Sequence, residues 1–271
     1  MNPDVDIFAM YGGDVAFSKD AYDAISVLVD DFYCFDIPKS PEWKWKNGDH
    51  LIGHWFLERG VNLRWENLFI LQWDMLVLDK PLHLLLQNYK TDQVLLSGFI
   101  EFDAVSKWWG WSRKFPDDVR QYRKYLRDNF SYEGPLYACL FIVACFPRKF
   151  LSKYAIESLT EAGFLEYKIP TMAKIYGFDI YYDKQFEPWW AANPSTKNIS
   201  NRLKVLNASG IDVGLITIIK ELLKPRGRRV FHPYGKSFPS LLENKFVIKL
   251  LRLIIRWFRF LFIVCFHAFE S

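Results

Sequence analysis

The chain contains no GxGxxG, no GxxxxGK[ST] phosphate loop and no GxSxG turn. Those absences argue against a Rossmann dehydrogenase, a P-loop NTPase and a serine hydrolase of the nucleophile-elbow type. Cysteine is scarce: Cys34, Cys139, Cys145 and Cys265 show no CxxC pairing and no zinc spacing, which points to a reducing compartment. The HExxH signature is also missing, so His50 and His54, four residues apart, share a helix face without an evident third metal ligand. No apolar run is long enough to span a membrane. The charge-free stretch Phe260–Phe269 would cover only about 15 Å of a roughly 30 Å hydrocarbon core. The opening Met1–Asp6 is polar and acidic, so no secretory leader is expected. There is no internal repeat.

What is present is a globular composition, 51% hydrophobic and 24% charged over 271 residues, enough for one large α/β domain or two small ones. Aromatics reach 18%, with 11 Trp; such side chains either fill cores or stack on sugar and base rings. The net charge of +4 is unevenly distributed. Residues 220–259 hold eleven Lys or Arg against Glu221 and Glu243, a local balance of +9, which leaves residues 1–219 at −4. A basic end segment on an acidic body argues against a nucleic-acid-binding domain and for an acidic partner surface.

Hydrophobic periodicity predicts alternating elements. Val5–Met10 reads as a strand running into Tyr11-Gly12-Gly13, where paired glycines permit either a turn or close backbone approach to a ligand. Ser18–Phe32 reads as a helix with Ser18 at its N-cap, Phe32–Ile37 as a strand, and Asp49–Arg59 as a helix capped by Asn47 or Asp49. Leu68–Leu71 is a continuous apolar run of the kind buried on both faces, within a strand region reaching Leu78. Asp74 interrupts that region. A carboxylate there needs a basic side chain, backbone N–H groups or a metal ion as partner. A helix is expected over Pro81–Leu86. Residues 97–135, with Trp108-Trp109-Gly110-Trp111, read as an irregular aromatic insertion, either a binding surface or a capped hydrophobic flap. Then follow a buried strand at Leu136–Cys145, a helix at Arg148–Leu159, a helix at Thr171–Tyr176 opened by Pro170, and a late strand at Ile180–Tyr182. The alternation implies an α/β domain with a largely parallel sheet.

The order of Tyr11-Gly12-Gly13, Lys46-Asn47-Gly48-Asp49, Ile70-Leu71-Gln72-Trp73-Asp74, Phe164-Leu165-Glu166 and Val230-Phe231-His232-Pro233 resembles nucleotide-sugar glycosyltransferases of the A-type fold. The resemblance covers roughly residues 4–236 and lies in motif order and strand context. It implies a GT-A-like, Rossmann-like, mostly parallel central sheet flanked by helices over residues 1–239. In such proteins an Asp-x-Asp motif after a central strand holds a divalent cation on the donor diphosphate; here Gln72-Trp73-Asp74 supplies only its last carboxylate. The resemblance further implies Asp74 and His232 as ligands for Mn²⁺ or Mg²⁺. It also implies donor contacts from Tyr11, Gly12, Gly13, Asn47, Asp49 and Trp73, and Glu166 as the base acting on the acceptor hydroxyl. A carboxylate and an imidazole suit such a cation, which stabilises charge on a departing diphosphate. Glu166 has a second reading, as a first-turn acid favoured by the helix dipole.

Lys245, Lys249, Arg252, Arg256 and Arg259 are spaced 4, 3, 4 and 3 residues apart and share one helical face. With Phe246, Leu250, Leu253, Ile254, Trp257 and Phe258 over much of the remainder, residues 240–271 read as a basic amphipathic helix on an anionic membrane surface, with 245–269 in contact. The alternatives are packing on the domain and binding of a protein partner. The resulting expectation is a cytoplasmic, peripheral membrane glycosyltransferase, moving a sugar from a UDP-linked donor to a polysaccharide or glycolipid. A non-catalytic carbohydrate- or partner-binding protein on the same fold is the alternative. A nucleotidyltransferase lacks its basic, Gly-rich phosphate loop here.

Overall fold

A computed structural model describes residues 5–78, 86–190 and 205–235. The helix expected from Pro81 and the basic amphipathic segment 240–271 lie outside the described residues. The fold is mixed α/β, with several sheets, some of their pairings parallel. β1 (Phe8–Tyr11) and β2 (Asp31–Cys34) pair in parallel, Phe8 opposite Asp31 through Tyr11 opposite Cys34, around α1 (Ser18–Ile25). α1 is shorter than its periodicity predicted, and Asp14 rather than Ser18 caps the approach, accepting the Ala16 N–H at 3.0 Å. α2 (Pro41–Lys46) and α3 (Gly48–Glu58) follow.

The principal sheet has β8 (Val143–Pro147) between β3 (Asn67–Leu71) and β5 (Gln93–Leu96), with β9 (Asp179–Tyr181) beyond β5. Two of its three pairings are antiparallel and only β5–β9 is parallel, which corrects the expectation of a mostly parallel sheet. A continuous apolar run reports burial on both faces, and a central antiparallel strand covered on both sides produces the same run. β8 shows this through the strand period of two. Ala144 and Phe146 join the main core with Trp55, Tyr122, Phe150 and Tyr154, whereas Val143 and Cys145 face a second cluster with Leu95, Leu206 and Val230.

The stretch read as irregular is largely helical. After the short strand β6 (Ile100–Glu101) come α4 (Phe102–Val105), α5 (Gly110–Lys114) and α6 (Pro116–Phe130), and β7 (Tyr137–Ala138) pairs back with β6. α6 has Pro at its first position, Asp117 and Asp118 in its first turn, and Ser131 in the left-handed region at φ 49° as its stop. Only Tyr122 and Leu126 are buried along it, so its apolar stripe is too narrow to dominate the sequence pattern.

α7 (Arg148–Glu157) matches its prediction closely, while α8 (Leu165–Ile175) starts earlier than expected and runs through Pro170. A proline inside a helix cannot donate to the carbonyl four residues back, here that of Glu166. That carbonyl accepts the Cys139 N–H instead, at 2.8 Å. The strand region expected to Leu78 is split: β3 ends at Leu71, and β4 (Leu76–Val77) pairs antiparallel with β10 (Val230–Phe231), after α9 (Leu215–Leu222). Asp74 therefore sits in the intervening turn and not in a strand interior. Among the described residues, no helix is long and apolar enough to cross a membrane, and Cys34, Cys139 and Cys145 are free thiols.

Candidate functional site

The turn after β3 is held at both ends. Met75 N–H donates to the Gln72 carbonyl at 3.1 Å, and the Gln72 side-chain amide donates to the Phe141 carbonyl at 3.0 Å. The Asp74 carbonyl accepts the Tyr234 N–H at 2.8 Å. The β4–β10 ladder then delivers His232 directly beside Asp74. The His232–Pro233 peptide is cis, and the His232 carbonyl accepts both the Asn207 N–H at 3.0 Å and the Asn207 side-chain amide at 3.2 Å.

His232 Nε2 lies 3.1 Å from Asp74 Oδ1, with the two side chains 6% and 17% exposed. The other ring nitrogen, Nδ1, lies 2.6 Å from the Asn207 carbonyl oxygen. A carbonyl only accepts, so Nδ1 carries the proton, and a neutral ring presents its Nε2 lone pair on the side of the carboxylate. Asp74 is off the line of a straight hydrogen bond, and Nε2 has no hydrogen-bond partner. Two acceptor atoms this close repel unless the ring is protonated or a cation stands against both. Metal-ligating histidines commonly donate their remote N–H to a carbonyl in this way, so the pair fits a divalent cation. Among the described residues no group of three or more His, Cys, Asp or Glu is placed to hold a metal. A cation here would complete its shell with ligand oxygens or water.

Glu166, in the first turn of α8, is 8% exposed. Its Oε1 accepts the Phe141 N–H at 2.7 Å. Burial pushes its carboxyl up to about 8, with the Phe141 hydrogen bond acting in the opposite direction. The Phe141 peptide thus joins two of the expected residues' surroundings: its N–H binds Glu166 and its C=O binds Gln72, two positions before Asp74.

Asn47 and Asp49, expected at the donor, lie inside the protein at 1% and 0% exposure. Lys168 Nζ donates to Asn47 Oδ1 at 3.0 Å and the Thr160 carbonyl at 2.8 Å, and lies 2.9 Å from Asp49 Oδ2. Tyr154 donates its hydroxyl to the same Asp49 oxygen at 2.8 Å. These two residues stitch α3 to α7 and α8 and do not reach a donor. Tyr11 folds its ring over Gly13, where a Cβ would come within 2.4 Å of the Tyr11 hydroxyl oxygen. A side chain at the second glycine would have to displace the Tyr11 ring. Gly12 is not so confined, its Cβ position lying 3.4 Å from Leu51. Lys44 closes this loop by donating to the Gly13 carbonyl at 3.0 Å. Trp73 is 89% exposed beside Asp74, free to stack on a ring. His50 and His54 stack with centroids 6.4 Å apart, and His50 Nε2 contacts the Thr160 carbonyl at 3.1 Å.

Gln72 and Asn207 were not singled out from the sequence, yet they position Asp74 and His232. Asn207 carried a local signal, since Asn207-Ala208-Ser209 forms an Asx-type turn with Ser209 N–H donating to Asn207 Oδ1 at 2.9 Å. No protein-family model, curated protein or solved structure matches the chain.

Proposed function

We propose that this chain is a metal-assisted glycosyltransferase on a GT-A-like fold, transferring a sugar from a nucleotide-sugar, UDP-linked, to a polysaccharide or glycolipid acceptor. The observation carrying the reading is the Asp74–His232 pair, 3.1 Å apart with Nε2 lacking a hydrogen bond. Asp74 Oδ1 and His232 Nε2 would hold a Mn²⁺ or Mg²⁺ ion, which would supply Lewis-acid stabilisation of the departing diphosphate. The Asn207 carbonyl keeps the imidazole in the ligating tautomer, and the Tyr234 N–H fixes the Asp74 backbone. Trp73 stacks on the donor. Glu166 accepts the acceptor hydroxyl's proton; with its carboxyl near 8 it is a competent base at mildly alkaline pH.

Asp74→Asn and His232→Ala are each expected to weaken Mn²⁺-dependent UDP binding by roughly tenfold or more, about 1.4 kcal/mol, in titration calorimetry. Wild-type affinity in both variants would refute the ligand assignment. The single carboxylate in Gln72-Trp73-Asp74 and the protonated state of Glu166 at neutral pH favour a second reading, a non-catalytic carbohydrate-binding protein. Hydrolysis of a UDP-sugar in the presence of Mn²⁺ separates the two: its absence alongside retained UDP binding selects the second.

A further inference from the structure

α9 is apolar around most of its circumference. Ile218 is buried, and Leu222 packs against the cluster of Val205, Val213 and Phe231. On the opposite side Ile216, Ile219 and Leu223 are 70%, 45% and 43% exposed. The spacing i, i+3, i+7 aligns them in one stripe. Ile211, in the loop just before the helix, is 65% exposed. A helix with a second apolar face that no described residue covers is an interaction surface.

Charge identifies the occupant. Lys220 is exposed on the helix, one turn from both Ile216 and Leu223, and Arg226 is exposed in the turn that follows it. Between residues 205 and 235 the acids are Asp212 and Glu221. Glu221 is buried and accepts the Arg228 N–H at 3.0 Å; Asp212 accepts the Gly235 N–H at 3.2 Å. The stripe is thus rimmed by cations, with its acids engaged elsewhere. A stable protein interface buries roughly 1,200–2,000 Å², and four exposed apolar side chains are too few to supply it. They do meet the requirements of an interfacial helix on an anionic bilayer, and the sequence keeps the same character through residue 259, where eleven cations face two acids from residue 220.

We propose that the Ile211, Ile216, Ile219 and Leu223 face of α9 docks on an anionic lipid bilayer, its apolar stripe entering the interface while Lys220 and Arg226 meet lipid phosphates. This contact is separate from the basic tail and does not depend on the transferase reading. Its placement matters to the candidate site. Val213 N–H donates to the Pro233 carbonyl at 2.9 Å, next to His232, so docking sets that end of the domain on the membrane.

The experiment is co-sedimentation of the full chain with phosphatidylcholine vesicles, with and without phosphatidylserine. The double variant Ile216→Glu with Ile219→Glu is expected to weaken partitioning onto the phosphatidylserine vesicles by roughly tenfold or more. Lys220→Glu with Arg226→Glu, which touches no core residue, is expected to weaken binding to the anionic vesicles only. Wild-type partitioning by both variants overturns the proposal. So does loss of self-association in the isoleucine variant with unaltered vesicle binding, which would mean that a second copy covers the face. Should the isoleucine variant fail to fold, the charge variant decides alone: unchanged partitioning refutes the docking.

Discussion

Lys168→Met is expected to lower folding stability by about 3–5 kcal/mol, the cost of leaving a buried charge without its partner. The ammonium is fully buried and saturated by Asp49, Asn47 and the Thr160 carbonyl. Burial lowers the Lys168 pKa from its ordinary value, against the opposing pull of Asp49; the pair is retained through geometry rather than through exposure to water. Removing the ammonium leaves Asp49 at 0% exposure with only the Tyr154 hydroxyl on Oδ2 and no partner on Oδ1. Since Asp49 belongs to α3, Tyr154 to α7 and Lys168 to α8, all three helices lose their shared fastening. The double variant Asp49→Asn with Lys168→Met, in which neither side chain carries charge, should recover much of the loss. Urea denaturation monitored by tryptophan fluorescence measures both. A decrease below about 1 kcal/mol for Lys168→Met would show that the pair contributes little to the fold.

The same cluster explains why part of the site was hidden in the sequence. Asp49 at the start of α3 reads equally well as a helix-terminal acid facing solvent or a ligand, because one sequence does not reveal what packs opposite. The partner that turns it inward, Lys168, lies on another helix in a segment where Pro170 advertises a helix start. The chain instead continues the helix through the proline, since the freed Glu166 carbonyl finds Cys139. α6 was obscured for a simpler reason: its buried face consists of Tyr122 and Leu126 amid charged residues. Strand burial was legible in β8 but not in β3, which lies at the sheet's edge with Leu68–Ile70 half-buried and Leu71 exposed instead of buried on both faces; strand direction was not legible, because hydrophobicity carries no vector. The proximity of Asp74 to His232 was anticipated only through motif order. What brings them together is the two-residue β4–β10 ladder, too short to leave a period of its own.

Glu166→Gln is expected to flatten the pH dependence of stability. The folded carboxyl is pushed up to about 8 from 4.5, so the folded state holds a proton that the unfolded chain releases. Stability from this group is fully present below pH 4.5 and is lost as pH rises, by about 1.4 kcal/mol per pH unit and about 5 kcal/mol in all, until the folded group ionises near 8. Glutamine retains a carbonyl oxygen for the Phe141 N–H and does not titrate, so that slope disappears. Amide hydrogens left without acceptors cost about 1–3 kcal/mol, a constant offset that leaves the slope untouched. Urea midpoints for wild type and variant at pH 5, 6.5 and 8 therefore isolate the carboxyl. If Glu166 is also the acceptor-side base, the same variant loses roughly 10²–10⁴-fold in transfer while gaining relative stability toward pH 8. A purely structural glutamate yields the flattened slope alone. Parallel slopes in the two proteins would show that Glu166 is not the buried proton carrier.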